Sequence, residues 1–186
     1  MLSNTKKTAT PVLEKASETL HPTLAGFNEP NPTDADLAER KVTYFHGDTL
    51  VHLEGDELRE IRFIDVGDKV LSRCEKTGQT AYREVIKNFR HEDVPLYCLA
   101  YYVNDSQANN RVYGVGATAE HLFWVQGKSW TMTVDLQPGD VIGSRYGDLL
   151  TVKMVHAMDY NLEGYNLTVA EFHTYFVGAE GAWVHD

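Results

Sequence analysis

The last fourteen residues of the chain, HTYFVGAEGAWVHD, hold residue types that suit proton-transfer chemistry. His173 and His185 lie twelve residues apart, and the final residue is the acid Asp186. The segment between the two histidines is typical of a strand, a glycine-rich turn and a second strand. A sequence that stops on His-Asp directly after an apolar run has two explanations: it was cut there, or chemistry takes place there.

The composition favours one acidic domain, or one domain with an appendage. The 186 residues carry a formal net charge of −10, and 42% of them are hydrophobic, which is ample for a packed core. No basic patch stands out, so nucleic acid is a poor candidate as a partner. No apolar run approaches the length of a membrane span, and the N-terminus lacks the apolar core of a signal peptide. We therefore expect neither a nucleic acid nor a membrane as a partner.

The cysteines and histidines do not form a metal-binding pattern. Cys74 and Cys98 fit neither a disulfide framework nor a zinc spacing. They suit a reduced compartment, and a single disulfide bridge between them is the alternative. His46 and His52 lie close in sequence, but no third ligand has a suitable spacing. We therefore expect no metal site.

The chain changes character near residue 44. Residues 1–43 are polar and contain loop chemistry in GFNEPNPTDAD, while PVLEKASETL and TDADLAER suit short helices. From Tyr44 onward, short runs rich in Val, Leu, Tyr, Phe and Thr alternate with turn signals such as EGDE and QPGD. This pattern predicts a partly helical appendage or linker over residues 1–43 and an all-β domain over residues 44–186. His173 is expected within one of the strands, the aromatic segment from Phe172 to Phe176.

An internal repeat relates two parts of the β region. Residues 49–73 align without gaps with residues 121–145, a shift of 72 positions. The matching turn residues are Gly55 with Gly127, Gly67-Asp68 with Gly139-Asp140, and Ser72-Arg73 with Ser144-Arg145. The repeat predicts a duplicated β unit whose copies are related by a pseudo-two-fold axis, with the aspartates as turn residues. The alternative is chance similarity between two hairpins that both need Gly-Asp turns.

The motifs of this region resemble those of the Hint superfamily, the Hedgehog and intein autoprocessing domains. More narrowly, they are similar to the pretoxin Hint domains of bacterial polymorphic toxins. The resemblance covers essentially the whole β region and is carried by four stretches, YFHGDTLV (44–51), TAEHLFWV (118–125), YNLTVAEFHTYFV (165–177) and GAWVHD (181–186). It implies the duplicated Hint β-fold, which agrees with the repeat.

The resemblance also implies roles for residues near the start of the domain. In the first step of intein chemistry, an N-terminal Cys or Ser attacks the preceding peptide carbonyl and forms a thioester or ester. Tyr44 stands at the position of that nucleophile. Thr118 and His121 match the Thr-x-x-His pair, which hydrogen-bonds the amide nitrogen and the carbonyl of the scissile bond.

At the other end of the domain, the resemblance assigns the last step. There a terminal Asn side chain attacks its own carbonyl and forms a succinimide, which severs the chain after it. His185 matches the histidine that polarises this carbonyl, and His173 matches the histidine that assists proton transfer. Asp186 stands where the family has Asn.

Three departures from the family pattern bear on activity. Tyr44 offers a phenol with a pKa near 10 on a rigid ring, a poor substitute for a thiol. Asp48 stands where a glycine is expected, which puts that turn in doubt. Asp186 offers an ionised carboxylate instead of an amide. We therefore expect the N-terminal acyl shift to be lost and cleavage at the C-terminus to be weakened or blocked.

The expected function is that of an autoprocessing domain that acts once on its own backbone, without a cofactor. It would be made in the bacterial cytoplasm, exported within a larger effector, and would release a toxin domain encoded beyond residue 186. The alternative is a degenerate Hint fold kept as a structural or interaction module, in contact with a delivery apparatus, a chaperone or an immunity protein. Sterol transfer of the Hedgehog type does not fit, because the Cys nucleophile is missing and no sterol-recognition segment follows.

Overall fold

The computed structural model describes residues 43–103 and 111–186, and these form an all-β domain, as the sequence predicts. The strands are β1 Phe45–His46, β2 Leu50–His52, β3 Leu58–Glu60, β4 Lys69–Arg73, β5 Thr80–Val103, β6 Val112–Ala117, β7 Leu122–Val125, β8 Ser129–Met132, β9 Val141–Ile142, β10 Leu150–Val169, β11 Thr174–Val177 and β12 Ala182–His185. Helical structure in these ranges is limited to three single 3-10 turns, Glu54–Asp56, Ile61–Phe63 and Thr133–Asp135.

The predicted appendage over residues 1–43 lies outside the described residues, apart from its last residue. Its helical character and the boundary at residue 44 therefore stay predictions. No helix in the described part of the chain is both long enough and apolar enough to span a membrane.

Hydrogen bonds link the strands in the order β3-β2-β11-β12-β7-β9-β10-β1-β6-β5-β4, with β8 paired to β7. The two long strands β5 and β10 also pair directly, from Val103 opposite Leu150 to Val85 opposite Val169. The register of this pair shifts at four places, and irregularities of this kind bend a strand and increase its twist. At its start β5 pairs with β4 and towards its end with β6, so this ribbon joins distant parts of the sheet.

The repeat is present in the turns of the structure. Gly67 and Gly139 have φ angles of 99° and 95°, a backbone conformation that favours glycine. The aspartate that follows each glycine accepts a hydrogen bond from the backbone N–H three residues before it, at 3.0 Å for Asp68 and 2.9 Å for Asp140. Both aspartates are turn residues, as the sequence predicts, and the two turns have the same construction.

Equivalent residues of the two copies also meet each other. Arg73 Nη2 donates a hydrogen bond to the main-chain oxygen of Arg145, its repeat equivalent, at 3.3 Å. A residue can meet its own equivalent only near the axis that relates the two copies. This contact agrees with the pseudo-two-fold arrangement expected from the repeat.

The main hydrophobic core fills the space around β1, β7 and β11. The ring of Phe45 lies 6.1 Å from that of Phe123 and 6.2 Å from that of Tyr175, and all three side chains are fully buried. Burying one such side chain contributes roughly 2–3 kcal/mol to folding. A smaller cluster contains Leu71, Phe176 and Trp183, with Tyr82, Trp124 and Trp130 packed against it. Together the two clusters fix the strands that carry the candidate residues.

Candidate functional site

The C-terminal hairpin brings the last residues of the chain back to His173. β11 and β12 pair in register from Thr174 opposite His185 to Val177 opposite Ala182. Both strands are mostly apolar, and almost every residue in them is buried. The pairing extends one step further, since the backbone N–H of Asp186 donates to the main-chain oxygen of His173 at 2.9 Å.

The carboxylate of Asp186 is buried and lies close to three hydrogen-bond donors. Its Oδ2 accepts a hydrogen bond from the backbone N–H of Val169 at 2.7 Å and lies 3.3 Å from Nδ1 of His173. Its Oδ1 lies 3.5 Å from Nδ1 of His185, and only 8% of the side chain is exposed. Burial opposes the charge, but the interactions with His173, His185 and the Val169 N–H outweigh it and lower the pKa of Asp186 to about 2. The carboxylate is therefore ionised at neutral pH.

His185 is aimed at the main chain of the terminal residue. Its Nδ1 lies 3.0 Å from the main-chain oxygen of Asp186, and because that oxygen can only accept, Nδ1 carries the proton. The edge of the ring packs against Trp130, with 5.3 Å between ring centroids. The imidazole is thus held in one orientation by an aromatic neighbour.

The position of His173 corrects the sequence prediction. The pattern places it within a strand, but the structure places it one residue before β11, with a φ angle of 54°. Glu171 also has a positive φ, of 65°, and the N–H of Phe172 bonds back to the oxygen of Ala170 at 2.7 Å. The chain therefore makes a tight turn here after β10. Because of this turn, His173 is 46% exposed and still reaches Asp186.

At the other end of the domain, Thr118 holds the backbone of Tyr44. The N–H of Tyr44 donates to Oγ1 of Thr118 at 3.1 Å, and the N–H of Thr118 donates to the oxygen of Tyr44 at 2.9 Å. The nitrogen of Tyr44 belongs to the Thr43–Tyr44 peptide bond, so Thr118 contacts the bond that precedes the first candidate residue. The Tyr44 ring packs edge-on against His91, with centroids 5.8 Å apart.

His121 lies between these two groups. Its backbone N–H bonds to the oxygen of Thr118 at 3.2 Å, and its ring stacks on Phe45 with centroids 3.9 Å apart. The side chain is fully buried, and its ring nitrogens have no well-formed hydrogen bond among the described residues. Burial lowers the pKa of His121 to about 3, and the nearby charges of His185 and Asp186 also act on it. The imidazole is therefore neutral at physiological pH.

The structure adds two buried residues that sequence reasoning missed, Asn166 and Tyr175. The Tyr175 hydroxyl donates to Oδ1 of Asn166 at 2.7 Å, and the backbone N–H of Leu167 donates to the same oxygen at 2.8 Å. Burial, and then the negative charge of Asp186, raise the pKa of Tyr175 well above its usual value. The hydrogen-bonded pair of Tyr175 and Asn166 thus lies close to the side-chain carboxylate of Asp186. Its only sequence signal is that Asn166 falls in the YNLTV motif.

Gly164 is a third residue that the sequence did not single out. A Cβ at this position would lie 2.6 Å from Cβ of Tyr44 and 2.9 Å from Cγ2 of Val94. Both distances are shorter than real contacts allow, so only glycine lets β1 approach β10 this closely. Gly164 therefore sets the position of Tyr44 against Thr118.

The arrangement can perform proton transfer and carbonyl polarisation. In the described ranges, no group of three or more His, Cys, Asp or Glu side chains is placed to hold a metal ion. The donors and acceptors converge on two backbone groups, the peptide bond before Tyr44 and the main-chain oxygen of Asp186.

The sequence profile of the pretoxin HINT domain family matches residues 51–186. Among solved structures, the chain is similar to a bacterial intein-like domain from Clostridium thermocellum. That match has 26% identity and a TM-score of 0.67, and it covers 79% of this chain and all of the other. It is also similar in fold to a DnaB intein from Synechocystis, with 19% identity, a TM-score of 0.63, and coverage of 77% and 98%. The comparison with curated protein sequences finds no significant match.

Proposed function

The chain belongs to the family of pretoxin HINT domains, and on that basis we propose that it cuts its own backbone after Asp186 in a longer precursor. The cut would release a toxin domain that follows residue 186. The reaction is an intein-like cleavage at the C-terminal end of the domain, performed once by each molecule.

The observation that carries this proposal is the contact between Nδ1 of His185 and the main-chain oxygen of Asp186 at 3.0 Å. In a precursor that continues past residue 186, the same atom is the carbonyl oxygen of the peptide bond to be cut. A hydrogen bond from a fixed donor polarises this carbonyl and stabilises the negative charge that develops on its oxygen during attack. The packing of Trp130 against His185 keeps the donor in place.

The nucleophile is the side chain of the same residue. An Oδ atom of Asp186 attacks the main-chain carbonyl carbon, a C–O bond forms, and the C–N bond to the next residue breaks. The departing nitrogen takes a proton from a histidine, and the product is a cyclic anhydride that water reopens to Asp186. His173 and His185 both lie at the carboxylate and are placed to supply the proton.

The same geometry makes this reaction slow at neutral pH. Hydrogen bonds from Val169 and His173 stabilise the carboxylate in the ground state, and these must weaken for an Oδ atom to attack. An asparagine side chain carries no charge to stabilise. Its nitrogen would attack, lose a proton and form a succinimide, while the departing amine gains a proton. We therefore expect Asp186→Asn to accelerate the cut.

The N-terminal end is proposed to stay uncut. Thr118 holds the N–H of Tyr44, but the residue in the nucleophile position offers only a phenol. Its ring packs against His91, and an acyl shift to a phenol gives an unfavourable aryl ester. The precursor would therefore be cut only after residue 186.

The test fuses a small reporter protein after residue 186 and follows intact mass over time. We expect slow cleavage or none with Asp186 in place, and clear cleavage in Asp186→Asn with a new terminus at residue 186. His185→Ala in the Asn background should abolish the cut, because it removes the hydrogen bond to the carbonyl. The matched control is His156→Ala, which removes an exposed histidine from β10 and should leave the rate unchanged.

A second candidate function is a module that does not cleave. The ionised and hydrogen-bonded state of the Asp186 carboxylate favours it, because a stabilised carboxylate is a poor nucleophile. In this form the domain would connect a delivery region to a toxin, or contact a chaperone or an immunity protein. Absence of cleavage in both the Asp and the Asn forms of the fusion would put this candidate first.

The proposed cellular context follows from the family. The domain would be synthesised in the bacterial cytoplasm and exported as part of a larger effector. Its substrate is its own polypeptide, and it needs no cofactor for the chemistry described. Neither nucleic acid nor a membrane is proposed as a partner.

A further inference from the structure

A buried histidine, His52, contacts the turn that joins β11 to β12. Its Nε2 lies 2.8 Å from the main-chain oxygen of Gly178, and because a carbonyl oxygen can only accept, Nε2 carries a proton. The side chain has no solvent exposure, and burial lowers the pKa of the imidazole. The ring is therefore neutral at physiological pH and presents one donor and one acceptor.

Arg145 fixes the other side of this ring. Its Nη1 donates to Nδ1 of His52 at 2.8 Å, and because a guanidinium can only donate, Nδ1 is the acceptor. Its Nη2 donates to Oδ1 of Asp56, and its guanidinium carbon lies 4.8 Å from the centre of the Tyr146 ring. These contacts fix the tautomer of His52, so its donor always faces Gly178.

The backbone of the turn is held by both copies of the repeat. The N–H of Gly178 donates to the main-chain oxygen of Leu50 at 2.9 Å, and the N–H of Arg145 donates to that of Gly181 at 2.7 Å. A Cβ at Gly181 would lie 2.6 Å from Cβ of Arg145 and 3.2 Å from Nε2 of His52. The turn is therefore packed closely against both side chains.

The duplicated fold does not itself require a histidine here. The repeat equivalent of His52, 72 positions later, is Trp124, which packs against Trp183 with 4.9 Å between ring centroids. The repeat equivalent of Asp56 is Lys128. The polar contacts of His52 are thus specific to the copy that meets the turn of the C-terminal hairpin.

The turn determines how β11 and β12 pair. Each strand has only four residues, and a shift of one residue would turn every side chain of a strand to the opposite face. His185 is the last residue of β12, so its contact with the main-chain oxygen of Asp186 depends on that pairing. A misplacement of about 1 Å can lower a reaction rate about 100-fold.

We propose that His52 is a positioning residue, which fixes the turn at residues 178–181 and thereby holds His185 against the carbonyl to be cut. This inference rests on the proposed cleavage after Asp186, but its structural half can be measured without cleavage.

The first experiment measures hydrogen exchange at the Asp186 amide of the full chain, because this N–H closes the last bond between the two strand ends. We expect exchange to become at least tenfold faster in His52→Leu, which removes the donor to Gly178. His52→Gln keeps a nitrogen donor at the ε position and should bring exchange back to within threefold of the parent. The matched control is Val152→Ala, which shortens a buried side chain of β10 outside the hairpin and should change exchange less than twofold.

The second experiment places the same variants in the reporter fusion that carries Asp186→Asn. His52→Leu should slow the cut at least tenfold, His52→Gln about threefold or less, and Val152→Ala less than twofold. If the fusion with His52 intact is not cut, the proposed function fails, and hydrogen exchange still decides whether His52 positions the hairpin.

Arg145→Gln keeps the test open if His52→Leu does not fold. It removes the donor to Nδ1 but leaves His52 in place, so exchange at Asp186 should become at least threefold faster. Unchanged exchange in the folded His52 or Arg145 variants would overturn the proposal. An equal effect of His52→Gln and His52→Leu would also overturn it, because the donor to Gly178 would then not matter.

Discussion

At the scale of single residues, His121 has no solvent exposure, and its surroundings keep the imidazole neutral. Its pKa in the folded domain is about 3, while an unfolded chain has a histidine pKa near 6.5. The unfolded state therefore binds a proton more readily than the folded state as the pH falls below 6.5. At pH 5 this difference removes about 2 kcal/mol of stability. We expect the free energy of unfolding in urea to fall between pH 7 and pH 5.

Replacement of His121 by Phe isolates this contribution. The variant keeps an aromatic ring next to Phe45 but has no group to protonate, so its stability should change less between pH 7 and pH 5. His52 is also fully buried, and burial lowers its pKa, so part of the pH dependence should remain. His156→Phe, at an exposed position, should leave the slope unchanged. An undiminished slope in His121→Phe would show that the buried imidazole does not cause the effect.

The motifs that mark the candidate residues are local, and the roles of these residues stay predictions. Thr118 and His121 lie three positions apart, and His185 and Asp186 are adjacent, so short stretches of sequence reveal each pair. The contacts of Asp186 with the Val169 N–H and of Tyr175 with Asn166 were not predictable. These contacts depend on how three strands pack together, and a local sequence pattern carries no information on that packing.

At the scale of elements, Gly164 on β10 controls how closely β1 approaches. Gly164→Ala would place a methyl group 2.6 Å from Cβ of Tyr44. This Cβ is attached directly to the backbone, so it cannot move aside as the end of a flexible side chain could. β1 must then move, at an expected cost of about 1–3 kcal/mol. The hydrogen bond from the Tyr44 N–H to Thr118 should weaken. Urea unfolding measures the cost, and hydrogen exchange at the Tyr44 amide should become at least tenfold faster.

The control for this prediction is Gly114→Ala on β6. The added methyl group there would lie 3.6 Å from the main-chain oxygen of Leu99, an ordinary contact. We expect little loss of stability and no change in exchange at Tyr44. If both variants behave alike, the approach of β1 is not limited by Gly164.

The element boundaries show what sequence patterns can and cannot reveal. The turns at Gly67-Asp68 and Gly139-Asp140 were predictable because glycine with positive φ followed by an aspartate is a local requirement. The direct pairing of β5 with β10 was not predicted, since it joins residues far apart in the chain. The position of His173 outside a strand also escaped prediction, because its positive φ depends on a turn within an otherwise apolar segment.

At the scale of the whole molecule, duplication gives a common framework to two halves with different chemistry. The backbone N–H of Ile61 donates to the main-chain oxygen of Thr49 at 2.8 Å. In the other copy, the backbone N–H of Thr133 donates to the main-chain oxygen of His121, also at 2.8 Å. Thr49 and His121 are repeat equivalents, so one backbone position carries a hydroxyl in one copy and the buried imidazole in the other. The fold thus preserves the backbone of both copies, while the candidate chemistry depends on side chains that differ between them.

This equivalence predicts equal costs for equivalent substitutions. Gly67→Ala and Gly139→Ala both force alanine into a φ near 95–99°, and in neither case does the added methyl group meet another atom within 4 Å. Backbone strain is then the only cost, of about 1–2 kcal/mol in each variant. Urea unfolding should give values that agree within about 0.5 kcal/mol. A large cost in one turn and none in the other would mean that the two copies contribute unequally to stability, despite their matching hydrogen bonds.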